Sequence, residues 1–323
     1  MTNPDLLEKS LQVTIDHRQD IDGRIAILDL MPTADDSLPA FSAGAHIDVH
    51  INDNLIRQYS LCTTPEQFAG YRLAVMEEPS SRGGSRTIFQ QFAVGQTITI
   101  SPPRNHFELQ LPAQKVLLLA AGIGITPLYA MAQTLKAQGQ DFELHYCLKE
   151  PGTGAFEDEI KSQFSEQSHF HYSRVAESGR LDLPDLLKSQ SLQTHIYLCG
   201  PAGFLDWACD CAKAAGLPAD QVHFEYFNAE VELTGNAFEI YCSESDVSVQ
   251  VGPTDTIAQA LKAAGVKVDV SCEEGVCGTC IMDVLEGEPE HRDHFLSDEE
   301  KADNDQIAVC CSRAKSAKLI LDC

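Results

Sequence analysis

The chain has 323 residues, enough for two or three domains with cores of their own. Its 23 basic and 48 acidic side chains leave a formal net charge of −25, which argues against nucleic acid and anionic membranes as partners. The most apolar stretch, 116–132, holds two glycines, Thr126 and Pro127 and is too short to cross a bilayer, so it is read as strand, loop and helix. The opening residues lack a basic segment followed by an apolar run. With twelve cysteines in the chain, this points to a reducing, cytoplasmic setting with thiolates committed to metal.

A multidomain chain is expected. Residues 1–111 carry short segments of alternating polarity: 11–15, 24–30, 46–51, 71–75 and 97–100, separated by Gly, Pro and Asn-Asp clusters. Evenly spaced strands of this length predict a closed antiparallel β-barrel. One stretch reads Arg57-Gln58-Tyr59-Ser60, and a glycine loop follows at Ser81-Arg82-Gly83-Gly84-Ser85. These residues suit a flavin. Arg57 would pair with a phosphate, Tyr59 would lie against the isoalloxazine or ribityl face, and Ser60 would hydrogen-bond near N5. Gly83, Gly84 and Ser85 would offer amides and a hydroxyl to the phosphate. Ala74 and Val75, on the strand at 71–75, join Gln58 among the cofactor-binding candidates. Residues 103–107 are expected to close this domain.

From 112 to 227 the pattern changes to an α/β rhythm. Residues 116–121 form a continuous apolar run, as a buried parallel strand does. Gly122-Ile-Gly124-Ile-Thr126-Pro127 follows, with Thr126 expected at the N-cap and Pro127 at the first helical position. Further strands are expected at 142–148, 169–175, 195–199 and 223–227, with helices at 155–164 and from Gly200-Pro201 to 215. Such a parallel sheet binds ligands beyond the carboxyl ends of its strands. Gly122, Gly124, Thr126, Cys199, Gly200 and Pro201 are placed there, with the nicotinamide near Cys199. The usual G-x-G-x-x-G fingerprint is absent. Cys209 and Cys211 are read as structural. Phe227, where this domain ends, is placed beside the flavin.

Residues 228–236 are polar and read as a linker. In 237–323 a hairpin (238–242, 247–251) precedes a helix capped by Asp255 or Thr256 and ended by Gly265, which suits an α+β β-grasp domain. Next comes Cys272-x4-Cys277-Gly-Thr-Cys280, then Cys310-Cys311. This spacing suits a plant-type [2Fe–2S] cluster. Three thiolates converge from one tight loop, with Gly275 and Gly278 turning it and exposing amides to the sulfurs. A zinc site would favour paired C-x2-C knuckles, and a disulfide scaffold would favour a small secreted chain. The spacing alone leaves Cys310 and Cys311 open as the fourth ligand. Between Cys272 and Asp305 lie twelve acidic and two basic residues. That face is either a solubilising one or a docking surface for a basic electron acceptor. His291 and His294 are read as exposed surface histidines.

Taken together, the Arg57–Ser60, Arg82–Ser85, Gly122–Pro127, Cys199–Pro201, Cys272–Cys280, Glu286–Asp293 and Val309–Lys315 segments resemble the phthalate dioxygenase reductase family nearly end to end. That family includes vanillate demethylase and carnitine monooxygenase reductases. The resemblance implies FMN in the first domain, NADH in the second and the cluster last, with Ser60 and Cys199 nearest the hydride path. Arg57, Tyr59, Ser60, Gly84 and Ser85 match its FMN positions, and Gly124, Thr126, Cys199 and Gly200 its nicotinamide side. Cys310, with Cys272, Cys277 and Cys280, matches its iron ligands. Ala121 departs from the family, standing where a third glycine is frequent. The implied partner is the Rieske centre of a terminal oxygenase. Two rivals have features of their own. A reductase of a di-iron monooxygenase would resemble FAD binders and place its ferredoxin domain first. A non-enzymatic iron–sulfur sensor would leave the flavin and nucleotide motifs idle. Ser173-Arg174 offers a contact for a 2′-phosphate, while the resemblance favours NADH.

Overall fold

The structure, a computed structural model, describes residues 10–33, 37–52, 55–79, 83–176, 179–227 and 231–323. Ser81 and Arg82 of the glycine loop and the first three residues of the expected linker lie outside these. The chain divides into two compact units, Met1–Phe227 and Asn228–Cys323. Among the described residues no helix is long and apolar enough to cross a membrane.

The first unit opens with six strands: β1 (Leu11–Ile21), β2 (Ile25–Pro32), β3 (His46–Asn52), β4 (Leu55–Ser60), β5 (Tyr71–Met76) and β6 (Thr97–Ile100). They form one antiparallel sheet in the order β4-β3-β6-β1-β2-β5. The Cys62 amide donates to the Arg72 carbonyl at 2.9 Å, joining the chain just after β4 to β5 and closing the barrel. Alternate residues such as Val13, Ile15, Leu28, Leu30, Ile47 and Val49 fill its interior, as period-2 patterning requires. An eight-residue helix, α1 (Gly84–Gln91), occupies what the sequence presents as a glycine loop.

The second sheet of this unit is entirely parallel. It contains β7 (Lys115–Ala121), β8 (Phe142–Leu148), β9 (Ser168–Tyr172), β10 (Thr194–Gly200) and β11 (Val222–Tyr226). Its order is β11-β10-β7-β8-β9, so the chain reverses direction of winding between β7 and β10. Helices α2 (Ile125–Ala137) and α3 (Glu157–Gln163) cover one face, burying Leu118, Ala120, Leu144 and Tyr146. Helices α4 (Leu183–Lys188) and α5 (Ala202–Ala214) cover Leu117, Leu119, Ile196 and Leu198 on the other. Barrel residues Ile25, Ile27, Ala74 and Phe107 share the core that holds Leu118 and Tyr129, so barrel and parallel sheet are packed together.

Several local expectations shift. Thr126 does not cap α2: a 3₁₀ turn over Gly122–Gly124 precedes the helix and Gly124 is its N-cap. The Thr126 hydroxyl instead donates to the Ile123 carbonyl at 3.0 Å, inside the first turn. The strand expected at 169–175 ends at Tyr172, and the helix expected at 155–164 is confined to α3.

The second unit contains β12 (Phe238–Cys242), β13 (Val247–Val251), α6 (Ile257–Ala263), β14 (Ile281–Glu286), β15 (Pro289–Glu290), α7 (Asp298–Asp303), β16 (Gln306–Ala308), β17 (Arg313–Ala314) and β18 (Lys318–Leu321). A five-stranded mixed sheet in the order β13-β12-β18-β14-β16 wraps α6. Thr256 and Gln259 form a reciprocal capping box at the start of α6. Arg313, 2 % exposed, donates to the carbonyls of Leu233, Asn236, Gly252 and Asp255 at 2.8–2.9 Å and ties the entering chain to this sheet.

Candidate cofactor sites

The barrel site is built on β4 and α1. On β4, Arg57 and Tyr59 pair with Val49 and Ile47 of β3 and share their face, whereas Gln58 and Ser60 pair with Asp48 and His46 on the opposite face. The run Arg57–Ser60 is therefore split between two faces. Ser60 is buried, and desolvation raises the Tyr59 phenol far above its ordinary value. Gly83, at φ 106°, turns the chain into α1 in a conformation that side-chain-bearing residues rarely adopt. At Gly84 a Cβ would lie 2.7 Å from Arg57 Cγ. The arginine stem thus rests directly on the amino end of the helix, where the first amides have no intrahelical partner. A guanidinium, the opening amides of a helix and its dipole converge there, which is the chemistry of a phosphate site. Ser85 is committed differently: its Oγ accepts from the Glu78 amide at 3.1 Å. Val75 is fully buried in the barrel interior and Ala74 in the core shared with the parallel sheet.

The second site lies where β7 and β10 part. A Cβ on Gly124 would fall 2.2 Å from the Cys199 carbonyl oxygen and 2.6 Å from the Gly200 amide; one on Gly200 would fall 2.8 Å from Ala121 Cβ. Only glycines let these two backbones meet. A cleft of about 1010 Å³ opens beside them between barrel and sheet, lined among others by Arg24, Met76, Gly122, Arg174, Pro201 and Trp207. It lies at the carboxyl ends of the strands and at the topological switch point, the expected place for a nucleotide. Cys199 is fully buried, and desolvation pushes its thiol well above the ordinary value. Phe227 packs, half-buried, against the shared core.

Sequence reasoning passed over two groups here. Glu225 pairs in register with Cys199, and its buried Oε2 has no hydrogen-bond partner; burial pushes the carboxyl up to about 8. An acidic residue inside the apolar and aromatic run of β11 was the available signal. His46 pairs with Ser60, and both its ring nitrogens are buried without partners; burial lowers it to about 4.

The third site is the cysteine loop. Cys272, Cys277, Cys280 and Cys310 are 3–7 % exposed; the Cys272 and Cys277 thiols interact, and Cys310 interacts with both Cys280 and its neighbour Cys311. Hydrogen bonding from Cys272 pulls the Cys277 thiol below its ordinary value. Amides of Glu274 and Val276 donate to Cys272, that of Thr279 to Cys277 and that of Gly275 to Cys310. Buried soft donors surrounded by amides match what an iron–sulfur centre needs. Cys311 Sγ instead lies 3.8 Å from the Ala308 carbonyl and against Gly275, where a Cβ would come within 2.6 Å of it. Gly275 also abuts Asp293, whose carboxylate accepts from the Phe295 and Leu296 amides at 3.2 and 2.8 Å and pins the loop facing the cysteines. His291 is not the exposed histidine expected: its side chain is 9 % exposed, 3.8 Å from Asp293. His294 is exposed.

Barrel, switch-point cleft and thiolate loop together define an electron-transfer oxidoreductase that uses a flavin, a nicotinamide nucleotide and a [2Fe–2S] cluster. Residues 240–315 match the 2Fe-2S iron-sulfur cluster binding domain family. The chain is 46 % identical to a vanillate O-demethylase oxidoreductase of Pseudomonas sp., over 88 % of this chain and 91 % of that protein. It is 41 % identical to the carnitine monooxygenase reductase subunit of Escherichia coli, over 91 % of this chain and 92 % of that one. Among solved structures, phthalate dioxygenase reductase superposes with a TM-score of 0.77 at 34 % identity, covering 100 % of both chains. An intact type IV self-sufficient cytochrome P450 monooxygenase superposes at 0.86 and 36 % identity; this chain covers 41 % of that longer protein. The chain belongs to the family of these oxygenase reductases.

Proposed function

We propose that this chain is the reductase component of a two-component oxygenase system of the Rieske type, taking electrons from NADH through FMN and a [2Fe–2S] cluster to a separate terminal oxygenase. The observation that carries this reading is the end-to-end likeness to reductases of vanillate and carnitine oxygenation. When bound, the three cofactors supply conversion of a two-electron donor into single electrons.

The residues contribute binding and placement. Arg57 and the amides opening α1 would hold the flavin phosphate, and the Gly84 surface lets the arginine lie there. Gly122, Gly124, Gly200 and Pro201 would receive the dinucleotide at the switch point. Cys199 and Glu225 stay neutral behind it, so no buried charge disturbs a nicotinamide ring, and Glu225 holds its proton to about pH 8. Cys272, Cys277, Cys280 and Cys310 would hold the cluster through their thiolates. Ser60 and Tyr59 would border the flavin from opposite faces of β4. A reducing cytoplasm suits twelve cysteines that form no disulfide.

Anaerobic titration with NADH tests the reading. Flavin and cluster absorbance should both bleach, and a cluster that stays oxidised beside reduced flavin overturns it. A second partner class, a haem oxygenase, is favoured by the likeness to the P450 monooxygenase. NADH-driven reduction of a purified Rieske oxygenase against that of a P450 haem domain separates the two.

A further inference from the structure

A strand in a parallel sheet covered by helices is ordinarily apolar on both faces. β8 obeys this on the side of α2 and α3, where Phe142, Leu144, Tyr146 and Leu148 are in the core. Its other side carries Glu143, His145 and Cys147, and the same face of β9 carries His169 and His171. Helices α4 and α5 pack over β7 and β10 on that face. The polar file on β8 and β9 is therefore not explained by their packing.

We propose that Glu143, His145 and His169 form a binding site for one divalent transition-metal ion of the Zn²⁺ type. His145 and His169 are directly opposed in register, with ring centroids 4.7 Å apart. One ligand atom from each of the three residues lies within 4.8 Å of the other two. His145 Nε2 and Glu143 Oε2 are 3.3 Å apart. Two ligand atoms bound tetrahedrally to zinc at about 2.0–2.1 Å stand about 3.3 Å apart, so this pair already has the separation an ion requires.

The surroundings prepare each ligand. Lys115 Nζ holds Glu143 Oε1 at 2.7 Å, leaving Oε2 turned toward the histidines. His145 is 5 % exposed, and this burial favours the neutral imidazole that can ligate. Its Nδ1 lies 3.0 Å from His171 Nε2. With a metal on Nε2, Nδ1 carries the proton and donates to His171, the outer-shell bond that fixes a ligating imidazole. His169 is exposed, which gives the ion a path in and leaves the remaining position to water. The three proposed ligands include none of the cluster cysteines and do not line the nucleotide cleft, so the site does not depend on the electron-transfer reading.

Zn²⁺ titrated into the cofactor-loaded protein tests this by calorimetry, with His169→Ala and Glu143→Gln run alongside. His169 is exposed, so its replacement leaves the fold intact; flavin content and melting temperature in metal-free buffer verify that. Wild type should bind one equivalent more than either variant, or bind it more than 100-fold tighter. His171→Ala should weaken that equivalent by about 10–100-fold. At one Zn²⁺ per chain, X-ray absorption at the zinc edge should show nitrogen and oxygen ligands with an imidazole signature. Equal stoichiometry and affinity in wild type and variants overturns the proposal, as does a zinc shell dominated by sulfur at about 2.3 Å.

Discussion

Replacing Gly124 by alanine tests the switch-point geometry directly. Gly124 has φ −61°, so an alanine suffers no backbone strain there and its effect is purely one of space. Its Cβ would stand 2.2 Å from the Cys199 oxygen, 2.3 Å from the Cys199 carbonyl carbon and 2.6 Å from the Gly200 nitrogen. Ordinary contact begins near 3.4 Å, so the β7 turn and the end of β10 must separate by about 1 Å, and neither alanine nor backbone has a rotamer to relieve it. Overpacking of this kind costs about 1–3 kcal/mol. In a unit of this size that lowers the melting temperature by about 2–12 °C. A 1 Å misplacement of the nicotinamide would slow flavin reduction by NADH about 10²-fold. Gly203→Ala is the control: nothing lies within 4 Å of its added Cβ, and in α5 it should be neutral or stabilising by up to about 1 kcal/mol. Thermal unfolding and stopped-flow flavin reduction read both variants. A Gly124→Ala protein with wild-type melting temperature and reduction rate would refute the close-approach argument.

Three further outcomes are expected. Gly84→Ala meets the Arg57 stem at 2.7 Å and Ile51 Cδ1 at 3.3 Å, both side chains able to shift, so stability should change little while flavin retention falls at least about 10-fold, read by flavin fluorescence after dialysis; equal retention removes the phosphate role of that surface. Cys310→Ser should lose iron and cluster absorbance while Cys311→Ser keeps both, and the reverse result exchanges their assignments. Glu225 binds its proton more tightly folded than unfolded, so its contribution to stability is full below about pH 4.5 and is lost as pH rises to about 8. Glu225→Gln should therefore gain stability over wild type at pH 8 relative to pH 5, by at most on the order of 5 kcal/mol; parallel denaturation midpoints at the two pH values contradict the buried neutral carboxyl.

Much of the molecule is written in short-range pattern. The hairpin Phe238–Val251 and the start of β7 follow from alternation and from a continuous apolar run, because strand periodicity is a property of neighbouring residues. Thr256 caps α6 through a residue three positions on, and the cysteine spacing constrains its loop in the same local way. The parallel α/β rhythm and the family likeness rest on motifs of a few residues each. All of this the amino-acid order determines by itself.

What lies beyond that order depends on register and burial. Gly124 displaces Thr126 from the cap because the turn must press against β10, a strand that begins 70 residues later. Arg57 and Ser60 part company because pairing with β3 assigns alternate residues to opposite faces. Glu225 becomes a weak acid only where desolvation outweighs ionisation, and His145 meets His169 only once β8 and β9 are aligned. These are energies of juxtaposition between distant segments, and they exist only after the chain has folded.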